Sequence, residues 1–386
     1  MEDIIVEVDM DKADRAAGAG LARTAARLAE DFSTRAEAHD SEESFVAENY
    51  GKLMRAGFMR AAVPAELGGG GAGIAEMGEV IRVLAHGCGS TALAFAMHTH
   101  QVVIPAWRWR HQPAAKAAVE PLLKRVATTD TVLLSSGGTD WVGGSGRAER
   151  VEGGWRIHAR KVFVSGAPAG TLLMTSAVAG DEVIHFALPM DAPEVKVLDT
   201  WHTLGMRGTA SHDVEIDGFF VPDDKVPLKR AGGQWHPVWH IIATLAFPLI
   251  YAAYLGVAES ARDIAVGIAR NREGAARQPR VAGEMEVRLR AAQIAHARMI
   301  AIAEENAPSA GSVNEVMIGR RLVEENTTRA VELAMELAGG MGFYRRTGLE
   351  RRLRDVQAAR YHPLRREVQE LYAGSMALGD PVDRIF

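Results

Sequence analysis

The sequence predicts an α+β chain laid out as helices, then strands, then helices. Three observations carry that prediction. Apolar residues recur at helical spacing up to about residue 128; short strand-like runs separated by Gly, Asp and Pro follow to about residue 233; long helical periodicity then returns. A β segment between two helical ones suggests a β-barrel or sandwich lying between two helical domains. The expected domains are residues 1–128, 129–233 and 234–386.

In the first part, Leu21, Ala25, Leu28 and Phe32 share one helical face, as do Val46, Tyr50, Leu53 and Met54. Glycines at 68–71 break the pattern, which resumes across residues 74–103. In the second part, Val132-Leu133-Leu134, Trp155-Arg156-Ile157-His158, Leu172-Leu173-Met174-Thr175 and Val183-Ile184-His185-Phe186 read as strands. Gly153-Gly154, between R-A-E-R-V and W-R-I-H-A, reads as a hairpin turn. In the third part the helices break near residues 274–279, 307–311 and 339–348.

Composition narrows the function classes. A chain of 386 residues with 47% hydrophobic content has ample core and is not disordered. A formal charge of −5 gives no global reason to expect nucleic acid or an anionic membrane as partner. The single cysteine, Cys88, excludes an intramolecular disulfide, a Cys-rich zinc site and a CxxC redox motif. The 13 histidines show no H-E-x-x-H spacing, so no metal is expected. The segment M-E-D-I-I-V-E-V-D-M lacks the layout of a signal peptide. The apolar window at 241–258 is interrupted by Pro248 and two tyrosines, so no membrane span is expected. The expectation is a soluble cytoplasmic protein.

Four runs point further. They are S-S-G-G-T-D-W-V-G-G-S-G at 135–146, G-G-W-R-I-H-A-R-K-V-F-V-S-G at 153–166, L-G-M-R-G-T-A-S-H-D-V-E-I-D-G-F-F-V-P at 204–222 and E-L-A-G-G-M-G-F-Y-R-R-T-G-L-E-R-R-L-R-D at 336–355. Together they resemble the acyl-CoA dehydrogenase superfamily of flavoproteins over nearly the whole chain. The resemblance implies that fold, with an N-terminal helical domain, a middle β-barrel or sandwich and a C-terminal four-helix bundle. It also implies FAD, or FMN, as cofactor. Ser135, Ser136 and Thr139 then belong to a loop over the flavin, Phe163 replaces a Trp that packs on it, and Val164 and Ser165 lie next to its N5. Arg207 and Thr209 organise the loop near the active site. Glu336, Gly339 and Gly340 reach the flavin of an adjoining subunit, which implies a homodimer or homotetramer.

Plainer readings stand beside these. A Gly-rich loop is usually only a turn, and Ser165 can be a strand-end hydroxyl bonded to the backbone. Arg207 can be a salt-bridge residue. His98 and His100 follow the apolar face of T-A-L-A-F-A-M-H-T-H, where a satisfied core histidine is the commoner case. In the monooxygenase branch of the superfamily a histidine of this helix lines the pocket, so His98 is a secondary catalytic candidate.

One departure shapes the functional expectation. Dehydrogenases of the family hold a catalytic Glu where this chain has Pro363, with His362 beside it. The family's second position for that base falls near Ala246, with Phe247 in place of the usual Arg. Glu76, Glu79 and Asp140 are the only other acids to nominate, and none is at a known base position. The departures match the flavin-dependent monooxygenases, in which Ser165, Arg207 and His362 have counterparts in kind. A neutral imidazole at His362 can handle a substrate proton near neutral pH; its plainer reading is a helix-terminal residue before Pro363.

The leading expectation is an oxygen-using flavin monooxygenase or oxidase of a small organic substrate, aromatic or thioester, with a separate flavin reductase as a candidate partner. The alternative is an acyl-CoA or acyl-carrier dehydrogenase with a relocated base; the third reading is an inactive flavin-binding homologue.

Overall fold

The computed structural model describes residues 10–137, 140–383 and 385. The acidic segment at residues 1–9, read above against a signal peptide, and Thr139 lie outside the described residues. Among the described residues, six α-helices come first: α1 (Met10–Ser33), α2 (Ala36–Ser41), α3 (Ala47–Arg55), α4 (Ile74–Gly87), α5 (Gly89–His111) and α6 (Lys116–Thr128). The periodic residues Ala25, Phe32, Val46, Tyr50 and Leu53 are buried in this part, as their spacing requires.

Eight strands follow among the described residues: β1 (Leu133–Ser135), β2 (Arg147–Val151), β3 (Gly154–Lys161), β4 (Leu172–Ala179), β5 (Glu182–Pro189), β6 (Val195–Val197), β7 (Val214–Pro222) and β8 (Leu228–Ala231). They form one sheet in the order β6-β7-β3-β2-β4-β5-β8, with β1 parallel to β4. The β2–β3 hairpin pairs Val151 with Gly154, so Glu152 and Gly153 make the turn. Gly153 sits at φ +75°, a conformation glycine adopts without steric cost.

The chain then returns to helix in α7 (Val238–Arg270), α8 (Pro279–Glu304), α9 (Ala310–Ala338), α10 (Leu349–Val356) and α11 (Arg366–Leu378). The break expected at 307–311 falls two residues earlier, at 305–309. Ser309 accepts a hydrogen bond from the Ser312 amide while Ser312 Oγ accepts from the Ser309 amide, and this capping box starts α9 at Ala310.

Pro248 does not interrupt α7, contrary to the expectation for the 241–258 window. The helix runs 33 residues through it and is long and apolar enough, by length and composition, to cross a membrane. Within this fold 89% of its apolar window is buried. Packing against α4, α5, α8 and α9 holds the helix across a residue that alone would break it. One apolar cluster joins all three parts, including Phe95 from α5, Leu133 from β1 and Tyr251 from α7.

Candidate active site

A cavity of about 960 Å³ opens where α5, the sheet and the start of α7 meet the turn after α10. Ligand sites are typically about 300–1,000 Å³, so the space suits a cofactor ring together with a small substrate. Its walls are mostly apolar and aromatic. Trp141 and Trp239 stack with centroids 5.2 Å apart and 10° between planes, and Phe247 lies 5.6 Å from Trp141.

One wall carries Ser135, Ser136, Phe163 and Ser165, which the sequence nominated for flavin. Phe163 has φ +56° and is 54% exposed, with its ring edge-on to Trp201 at 5.9 Å. Gly137 donates its amide to Val162 O at 2.9 Å, and a Cβ there would stand 2.9 Å from that oxygen and 3.0 Å from Phe163. The loop therefore lies against the Phe163 turn without a side chain between them. Ser135 and Ser136 line the cavity beside it. This apolar face with hydroxyls and main chain at its edge fits an isoalloxazine.

Ser165 belongs to a chain of hydroxyls with a definite direction. Thr209 Oγ1 donates to Met206 O at 2.8 Å, so its proton is used. Ser211 Oγ, 2.7 Å from Thr209, must then donate to it. Ser165 Oγ, 2.8 Å from Ser211, donates in turn. The Ser165 proton is thus spent on Ser211, and the lone pairs of Ser165 are left to accept.

Behind this wall, Ser136 donates to the Asp140 carboxylate, as does Ser145. Lys161 Nζ, fully buried, stands 2.9 Å from Asp140 and 2.9 Å from Ser145 O. Burial lowers the Lys161 pKa, and the Asp140 charge opposes that shift. Arg230 pins the next turn by donating to the carbonyls of Trp141, at 2.7 Å, and of Val142.

The opposite wall carries His362, Pro363, Ala246 and Phe247. Both positions at which the family keeps its base therefore face the cavity, and both are apolar. The half-buried imidazole of His362 lies 2.5 Å from the hydroxyl of Tyr254 through Nε2. Burial, then the charge of Arg320, pushes the His362 pKa down to about 3. The ring is neutral at ordinary pH. Among the described residues Asp140 is the single acid on the cavity wall, and it is committed to Lys161. Glu76 caps α4 through the Gly73 amide at 2.9 Å and Glu79 pairs with Arg82; neither lines the cavity.

The structure separates the other nominees. His98 is not on the cavity wall: Nε2 donates to Met59 O at 2.8 Å and Nδ1 accepts from the Leu133 amide at 3.0 Å. Both ring nitrogens tie α5 to its neighbours. His100, two residues later and so on a different side of the helix, lines the cavity instead. Val164 is wholly buried in the core, and Thr209 acts from behind Ser211. Arg207 donates to Thr203 O at 2.7 Å and holds its own loop. Glu336, Gly339 and Gly340 are exposed at the end of α9 and do not line this cavity. Arg272 donates to Leu337 O at 2.7 Å there, bracing the turn. Tyr254, His185 and the Trp141–Trp239 pair were not legible as site residues.

Comparisons with known proteins identify the family and the fold. The acyl-CoA dehydrogenase N-terminal, middle and C-terminal domain descriptions match residues 19–122, 135–219 and 249–367. The chain belongs to the acyl-CoA dehydrogenase superfamily. Among its members, the L-evernosamine nitrososynthase of a Micromonospora species is 29% identical over 85% of this chain and 82% of its own length. The putative acyl-CoA dehydrogenase YdbM of Bacillus subtilis is 27% identical over 87% and 91%. The structure of KijD3 with FMN and a dTDP-linked amino keto sugar superimposes with a TM-score of 0.86 and 26% identity, covering 95% of each chain. The superfamily's three-domain fold is thereby shown, and the similarity to flavin-dependent nitrososynthases supports the oxygenase reading over acyl-CoA dehydrogenation.

Proposed function

We propose that this protein is a flavin-dependent monooxygenase that transfers one atom of O2 to a small organic substrate held in the cavity. The observation that carries the reading is the absence, among the described residues, of an uncommitted carboxylate on the cavity wall. Removing the weakly acidic α-proton of a thioester needs a carboxylate held free and aimed in a dry pocket. Pro363 and Ala246 stand where the family would place one.

Reduced flavin, when bound, supplies the electrons that activate oxygen. The chain's own residues prepare the place for that chemistry. Ser165 offers an acceptor to the N–H of a reduced ring, because its own proton is turned toward Ser211. Trp141, Trp239 and Phe247 keep water from the substrate side. His362 and Tyr254 supply the polar group there.

The similarity to KijD3 solved with FMN supports FMN rather than FAD. The exposed carboxylate of Glu336, at the turn expected to approach an adjoining subunit's cofactor, also disfavours a diphosphate there. The reading includes a homodimer or homotetramer in the cytoplasm, supplied with reduced flavin by a separate reductase. Phe343, 87% exposed on the Gly339–Phe343 turn, supports a covering subunit.

The test supplies reduced FMN and 18O2 with a panel of phenols, indoles, amines, amino sugars and acyl-CoAs. Product carrying one 18O atom is expected from at least one member. A desaturated acyl-CoA without 18O would overturn the reading.

A further inference from the structure

We propose that Tyr254 locks His362 as its Nδ1–H tautomer, so that this histidine meets the substrate as a hydrogen-bond donor rather than as a base. The inference rests on the functional reading above for the identity of the site, and on the hydrogen-bond geometry for the proton's position.

Tyr254 is wholly buried, in the middle of α7. Burial raises its pKa well above the usual value, so the phenol keeps its proton. Among the described residues, the acceptor within reach of that hydroxyl is His362 Nε2, at 2.5 Å. Were Nε2 protonated, it would donate to the Tyr254 oxygen and the buried phenolic proton would be left with no acceptor. Tyr254 therefore donates and Nε2 accepts. A neutral imidazole with Nε2 occupied as acceptor carries its hydrogen on Nδ1. Nδ1 has no hydrogen-bond partner among the described residues, and His362 lines the cavity.

The backbone of His362 is held as firmly as its ring. Arg320, fully buried on α9, donates to His362 O at 3.1 Å and to Pro363 O. Its guanidinium lies over Phe247 and Tyr251, at 4.7 and 4.9 Å from the ring centroids. Tyr251 donates to Ala359 O at 2.7 Å, just before the same turn. The titratable or charged groups facing the imidazole are Tyr251 and Tyr254 from α7, Arg320 from α9 and His100 from α5. No carboxylate is among them. A proton added to the ring would place a second cation beside Arg320 in a buried setting, so the ring stays neutral. Arg320 and Tyr254 are positioning residues; the donor they prepare is His362.

Selective 15N labelling of histidine, with imidazole nitrogen spectra of the flavin-free protein and of His362→Gln to assign the signal, reads the tautomer directly. The expected wild-type spectrum shows protonated Nδ1 and unprotonated Nε2, unchanged from about pH 5 to about pH 9. In Tyr254→Phe the Nε2 signal is expected to move toward the protonated position. A wild-type ring protonated at Nε2, or a Tyr254→Phe spectrum identical to wild type, overturns the proposal. The wild-type spectrum decides the first point even if the variant does not fold. A protein that shows the Nδ1–H tautomer yet incorporates no 18O would defeat the functional reading and leave this assignment standing.

Discussion

Ser165 and Ser211 stand 2.8 Å apart, with the Ser165 proton directed at Ser211 because Ser211 is itself spent on Thr209. The pair turns an ordinary hydroxyl into an acceptor facing the cavity, which suits a reduced flavin rather than an oxidised one.

Ser165→Ala removes that acceptor and leaves Ser211 in place. The variant is expected to consume O2 at a rate near wild type while a larger share of it is released as hydrogen peroxide. Product formed per O2 consumed is the measurement. A coupling ratio equal to wild type would reduce Ser165 to a packing role.

His98 and His100 should separate cleanly, although they lie two residues apart. His98→Ala loses two buried hydrogen bonds, at Met59 and Leu133, and should lower stability by about 2–4 kcal/mol. Its activity per folded molecule should be near wild type. His100→Ala should alter KM, because His100 lines the cavity. Urea midpoints beside steady-state kinetics distinguish the two, and an unchanged midpoint for His98→Ala would contradict the structure.

The buried ion pair Lys161–Asp140 supports the flavin-side loop. Lys161→Met leaves Asp140 charged and unpaired in the interior, at a cost of about 3–5 kcal/mol. Flavin affinity should fall with it, because Ser136 is held by the same carboxylate. Thermal denaturation with and without FMN is the check; a melting temperature equal to wild type would contradict the assignment.

Acid should destabilise the protein well above the carboxylate range. Burial lowers His98, His100 and His185 to about 4, and His362 to about 3, from 6.5. Between these folded values and 6.5 the unfolded chain binds more protons, so stability rises with pH across that window and is lost as pH falls through it. Asp355 works in the opposite sense. Burial raises it to about 6 from 3.8, so between those values the folded state binds the extra proton and gains stability as pH falls. These four histidines outweigh one aspartate. Urea midpoints should therefore fall from about pH 7 to about pH 5, and a midpoint that rose would refute the sum.

The legible part of this molecule was its local chemistry. Val132–Leu134 and Val183–Phe186 announce strands because their β-branched and apolar side chains lie between turn residues. Ser165 and His362 were nameable because they sit inside long motifs. Pairings across the chain were not legible. Tyr254 meets His362 across 108 residues, and nothing near either one signals the other. His98 failed as a cavity residue for a similar reason: helical spacing places it on an apolar face, while the carbonyl of Met59 and the amide of Leu133 decide what its ring does. Pro248 misled because a proline breaks a solvated helix but not one packed on every side.

The central claim is that the cavity lacks the base for dehydrogenation. Anaerobic mixing of the FMN-loaded protein, and of an FAD-loaded sample, with a series of short- to long-chain acyl-CoAs tests it most directly. The absorbance of oxidised flavin is expected to persist with every thioester, while Pro363→Glu, which restores a carboxylate at the cavity wall, is expected to gain bleaching. Bleaching of the wild-type protein at ordinary enzymatic rates, about 1–10³ per second, would contradict the account.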